Sequence, residues 1–160
     1  MGYGSYSVSN SVSRTASLYS ASVDRSEIFT KRSIDEAMKA VKLDEKMRPV
    51  AVLRECRDSA DHPATVPIII GLDVTGSMGY VPDRFIREEM TKMMGALYEG
   101  GVKDAQVLFL GIGDHECDRS PLQVGQFEAD DELMDKWLKS IYLEGGGGGN
   151  GGESYLLAWA

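Results

Sequence analysis

An α/β fold, an open sheet of parallel strands with helices packed on it, is what this 160-residue chain predicts. Three observations carry the expectation. Residues 66–73 and 106–112 are apolar runs too short for independent helices, the first strongly β-branched, as strands buried on both faces of a parallel sheet are. An amphipathic stretch lies between them, so strand, helix and strand form a βαβ unit with parallel neighbouring strands and a right-handed crossover. The first run ends in a Gly-rich turn, Asp73-Val74-Thr75-Gly76-Ser77-Met78-Gly79. It falls just outside the sheet, where open α/β folds place their ligands.

Taken in order, residues 1–32 form a Ser-rich N-terminal arm, in which Ser5, Ser7, Ser9, Ser11 and Ser13 alternate with other residues. So little apolar area predicts a disordered arm, and the alternation leaves an extended strand docked on another surface as the second reading. Residues 33–65 hold a helix and a connection. Ser33 is its cap, Glu36 completes a capping box, and Ile34, Ala37, Met38 and Val41 share a face until Arg48-Pro49 ends it. Residues 50–53 read as a short strand, and residues 54–63 as the link into the main domain, 66–160.

Within that domain Pro82 suits the first turn of a helix whose apolar face is Ile86, Met90, Met93 and Leu97, with Phe85 and Met94 beside it. Gly100-Gly101 stop it. The methionine stripe is read as packing against the sheet. Residues 122–127 alternate like a half-exposed edge strand, and Asp130 or Asp131 caps a helix carrying Leu133, Met134, Trp137, Leu138 and Ile141. A run of glycines, 145–149, leads through Asn150, Gly151, Gly152 and Glu153 into a last helix over 154–160.

Composition narrows the function classes. The net charge is -8, and residues 66–160 carry 7 Lys/Arg against 16 Asp/Glu, which favours cations over nucleic-acid phosphates. Two cysteines, Cys56 and Cys117, make no disulfide framework and suit a reducing compartment. No apolar run reaches membrane-spanning length and no signal pattern opens the chain, so a cytoplasmic location is expected. Tyr6 stands where N-myristoylation wants Ser or Thr. The turn at 71–79 lacks the Lys of a phosphate-binding loop, and two histidines define no Ser-His-Asp or Cys-His arrangement.

Asp73, Thr75 and Ser77 together offer one carboxylate and two hydroxyls, a set of hard oxygen donors suited to a partly hydrated dication, Mg²⁺ first and Mn²⁺ or Ca²⁺ as alternatives. The plain alternative is a strand-to-helix turn in which these side chains cap backbone N–H groups. The spacing resembles the Asp-x-Ser-x-Ser metal-ion-dependent adhesion site of von Willebrand factor type A domains, with Thr75 in the middle position. The resemblance covers residues 67–160 and implies a Rossmann-like open sheet of that type. It also implies a non-enzymatic role: binding a protein partner whose carboxylate completes the metal shell.

In that family a Thr on a later glycine-containing loop often adds a ligand; here the role falls to Asn150, Glu153 or Ser154. Asp114, after the second strand, is placed to orient a coordinated water. The family's further acidic residue and about half its usual sheet have no counterpart before Ala160, which suggests either a fragment or a surface covered by self-association.

Two other readings remain open. Asp73-Val74-Thr75-Gly76-Ser77 with Gly113-Asp114 and Asp118 also resembles haloacid-dehalogenase-type Mg²⁺ phosphotransferases, with Asp73 as nucleophile. Thr75 stands where that family has a second acid, and Lys92 and Lys103 lie on or after a helix. His115 and Cys117 with His62 and Cys56 have zinc-type side chains at spacings that match no standard zinc signature.

Overall fold

The computed structural model describes residues 4–29, 34–35, 40–41, 47, 53–118, 120–144 and 154–159. Its centre is a three-stranded mixed sheet of residues 66–73, 105–112 and 122–124, in that spatial order. Strands β3 (Val66–Asp73) and β4 (Ala105–Ile112) run parallel, with Val66 opposite Ala105 and Asp73 opposite Ile112. Strand β5 (Leu122–Val124) is antiparallel to β4. All eight residues of β4 are buried, because strands flank it on both sides and helices cover its face.

Strand β3 departs from the expectation of burial on both faces. Among the described residues it is an edge strand, buried only at Leu72 and Asp73, and Ile69 is 60% exposed. One face does pack: Ile68, Ile70, Val107 and Phe109 meet Ile86, Met90, Met94, Met134 and Leu138 in the main core. The opposite face of β4, with Leu108, Leu110 and Ile112, gathers a smaller cluster with Phe127, Cys56 and Ala158.

The crossover from β3 to β4 is a helix with a wide turn in its middle. Helix α3 (Tyr80–Arg84) passes through a π-helical turn (Phe85–Glu89) into α4 (Met90–Glu99). Pro82, Ile86, Met90 and Met94 are the buried residues, four apart throughout. On a strict α-helix a spacing of four drifts by 40° per step, and the wide turn absorbs that surplus. The methionines do pack on the sheet. Gly101 closes the helix at φ 89°, a conformation that favours glycine.

Strand β5 reverses part of its expected pattern. Gln123, the polar member of the alternation, is fully buried, whereas Leu122 and Val124 are half-buried. Its side-chain amide donates to Tyr142 O at 2.9 Å and accepts from Tyr142 N–H at 2.7 Å, so a polar residue enters the core with both its amide nitrogen and its amide oxygen bonded. Asp130 caps α5 (Asp131–Lys139) by accepting from the N–H groups of Glu132 and Leu133.

The N-terminal arm is neither disordered nor extended over its described residues. It forms α1 (Val8–Leu18), capped by Ser7, and the short α2 (Arg25–Ile28), capped by Asp24. Few apolar side chains hold α1 in place; polar ones do much of the work. Tyr6 Oη donates to Ser11 Oγ at 2.6 Å, Ser11 Oγ meets Thr91 Oγ1 at 2.8 Å, and Arg14 pairs with the buried Asp131 at 2.6 Å. Tyr6, Tyr19, Ile28 and Phe29 complete the attachment by entering the core.

The helix expected from Ser33 is also overturned where it is described. Ile34–Asp35 (β1) and Ala40–Val41 (β2) pair antiparallel, with Ile34 opposite Val41, two β-branched residues suited to a ladder. Ser33, Glu36, Ala37 and Met38 lie outside the described residues, as do residues 50–52 of the expected short strand. The last helix is short, α6 (Tyr155–Ala158). Among the described residues no helix is long and apolar enough to cross a membrane.

Candidate functional site

The site begins where β3 leaves the sheet. Asp73 and Thr75 are both buried, and the Asp73 carboxylate organises the turn: its Oδ1 accepts from Thr75 N–H at 2.9 Å and from Thr75 Oγ1 at 2.6 Å. Val74 ties the same point to the neighbouring elements, its N–H donating to Ile112 O and its carbonyl accepting from Glu144 N–H. A bond from Met78 N–H to Thr75 O closes the turn and aims the chain into α3. Ser77 is exposed on that turn. The capping alternative is therefore realised in part, since Asp73 does cap Thr75 N–H.

Other elements converge here. A methyl group added at Gly79 would lie 3.4 Å from Arg25 Nη1 and 3.8 Å from Thr75 O, so α2 sets a guanidinium against the turn. From α6, Tyr155 Oη donates to Asp73 Oδ2 at 3.1 Å. Ser154 N–H donates to Gly113 O, which fastens the start of α6 to the loop after β4. Tyr155 is the residue that sequence reasoning missed. Its signal was position: it is an aromatic hydroxyl at the first turn after the glycine run.

Asp114 is buried in the loop after β4, the neighbour of β3 at this end. Its Oδ1 accepts from Glu116 N–H at 2.9 Å, and its own N–H donates to Asp118 Oδ2 at 2.8 Å. Gly113 makes room for that carboxylate, since a methyl there would meet Asp118 Oδ2 at 2.8 Å. His115 meets the Ser154 hydroxyl twice: its backbone N–H donates to Ser154 Oγ at 2.9 Å, and its Nδ1 lies 2.8 Å from the same oxygen. Of the loop candidates, Ser154 thus faces His115, while Asn150 and Glu153 lie outside the described residues. Desolvation first, then a hydrogen bond to Asp114 and the charges of Asp114, Glu116 and Asp118, push the Cys117 thiol up.

The zinc reading does not survive this arrangement. His62 lies beside Asp104, at the start of β4, and His115 follows its end. Eight strand residues at ~3.3 Å each separate them by about 25 Å, far beyond a shared ion. Cys56 packs in the cluster under Leu108 and Leu110. Among the described residues no group of three or more His, Cys, Asp and Glu is placed to hold a metal.

The described geometry joins Asp73, Thr75 and Tyr155 by direct hydrogen bonds and sets Asp114 and Ser154 in the adjoining loop ends. No protein-family model, curated protein or solved structure matches this chain.

Proposed function

We propose that the turn after β3 holds a hydrated divalent cation, Mg²⁺ first, and that a carboxylate from a protein partner completes its shell. This is the arrangement of the von Willebrand factor type A domains that the Asp73-x-Thr75-x-Ser77 spacing resembles. One observation carries the reading. The Thr75 hydroxyl gives its proton to Asp73 Oδ1 at 2.6 Å. Its oxygen lone pairs are then left to a cation, while the carboxylate supplies charge next to it.

The donor chemistry fits. Asp73 and Thr75 are held by the strand end, and Ser77 is accessible on the turn to add a second hydroxyl. Asp114 stands on the adjoining loop as a hydrogen-bond acceptor for a coordinated water. With few charged ligands, affinity for the bare ion is modest and rises when a partner supplies oxygen. The ion also lets an acidic partner approach an acidic domain.

The role is binding, and the phosphotransferase reading is the other outcome of one experiment. Titration of the protein with Mg²⁺ or Mn²⁺ by calorimetry should give saturable binding that Asp73→Ala abolishes, with no aryl-phosphate hydrolysis and no adduct with beryllium fluoride. Hydrolysis or an adduct dependent on Asp73 would transfer the site to the phosphotransferase class. Absence of any metal response would overturn both.

A further inference from the structure

We infer that the open edge of β3 is a self-association surface, at which a second copy of this chain adds its own β3 antiparallel about a twofold axis at Ile70. The inference is independent of the metal site. It starts from which way the backbone groups point. Val66 N–H donates to Asp104 O and Val74 N–H to Ile112 O, so the even-numbered residues of β3 bond to β4. In a parallel ladder the N–H and C=O of one residue point the same way, and successive residues alternate. Ile69 and Gly71 therefore turn both groups away from β4, and Pro67 turns its carbonyl.

Pro67 occupies a position where proline is tolerated, because the proton it lacks would face outward and not into the ladder. Among the described residues nothing pairs with the outward groups of Ile69 and Gly71. Residues 66–72 also carry no charge, so this edge lacks the lysines and glutamates that keep exposed strands apart.

The unpaired groups are self-complementary. With the axis at Ile70, Ile69 of one copy faces Gly71 of the other, and the two pairs exchange four N–H···O=C bonds. Large then meets small at each position. A shift that centred the contact toward Pro67 would lose donors, so the proline sets the register. The product is one continuous six-stranded sheet with an isologous interface.

Apolar area supports a second copy. Ile69 pairs in register with Leu108 and so lies on the sheet face that carries Leu108, Leu110 and Ala158 of α6. On that face Ile69 is 60% exposed, and beside Ala158 in the chain Leu156 is 85%, Leu157 42% and Trp159 87% exposed. Together these side chains offer on the order of 600 Å², approaching the ~800 Å² per partner of a standard interface before the backbone ladder is added.

Sedimentation equilibrium over a range of concentrations, combined with amide hydrogen exchange, tests this. The expected result is a monomer–dimer equilibrium in which the Ile69 and Gly71 amides become protected as the dimer forms. Ile69→Lys places a charge on the exposed face, and Ile69→Pro deletes an outward donor while leaving the even-numbered bonds to β4. Each should weaken dimerisation at least tenfold with an unchanged far-ultraviolet circular dichroism spectrum. Should either variant fail to fold, the exchange data on the unaltered chain decide alone. A monomer at every concentration overturns the inference. So does a dimer whose Ile69 and Gly71 amides exchange freely, and so does protection of both amides in the monomer, which would mean that the same chain covers its own edge.

Discussion

At Asp73 the two carboxylate oxygens have different neighbours, and the difference has a measurable effect. Oδ1 is held by Thr75 from its own turn, whereas Oδ2 accepts from Tyr155, more than eighty residues later. A cation approaching Oδ2 has to displace the phenol or share the oxygen with it. A hydrogen bond to a charged group contributes roughly 1.5 kcal/mol, which corresponds to about tenfold in affinity. Tyr155→Phe is therefore expected to tighten Mg²⁺ binding about tenfold in calorimetric titration, and Asp73→Ala to remove it. Weaker binding in Tyr155→Phe would instead make the phenol a support for the bound ion. The carboxylate and hydroxyl of this pair were legible in the sequence because their spacing is local. Tyr155 was not, because its contact spans two elements whose relative placement no short-range pattern encodes.

Among the elements, α5 shows how much a single cap does. Asp130 Oδ1 accepts from two N–H groups at the start of a nine-residue helix, and Asp131 and Glu132 add negative charge to its first turn. Asp130→Ala should lower unfolding stability by about 1 kcal/mol, read as a shift of the urea midpoint at constant slope. This cap, the β3–β4 crossover and the Gly100-Gly101 stop were all readable, since each rests on neighbours within a few residues. Helix α1 was misread for the opposite reason. Its attachments run from Tyr6 and Ser11 to Thr91, and from Arg14 to Asp131, polar contacts that leave no apolar stripe in residues 8–18. The π-helical turn was hidden as well, because a spacing of four residues suits either a drifting α-helix or a widened one.

For the molecule as a whole, buried phenols set an alkaline limit. Burial pushes Tyr6, Tyr19 and Tyr98 up, and in Tyr19 the bond to Asp135 at 2.5 Å adds to it. Below the ordinary tyrosine value of about 10 both folded and unfolded chains keep these protons, and the contribution is fully present. Above it the unfolded chain releases them while the folded chain retains them, so stability falls as pH rises. Melting temperatures should decline above about pH 10, and Tyr19→Phe should flatten the decline by removing the most strongly shifted phenol. An unaltered slope in that variant would assign the alkaline limit to other groups.

The clasp between Arg14 and Asp131 also has a consequence in time. During synthesis the segment bearing Arg14 emerges early, yet its docking platform on α5 is made more than a hundred residues later. Until then its serines and tyrosines stay in water, and the closing contact bears the entropy of a very long loop. Folding therefore finishes by drawing a helix made early onto a surface made much later, so refolding rates should be governed by this closure and not by the quick local crossover.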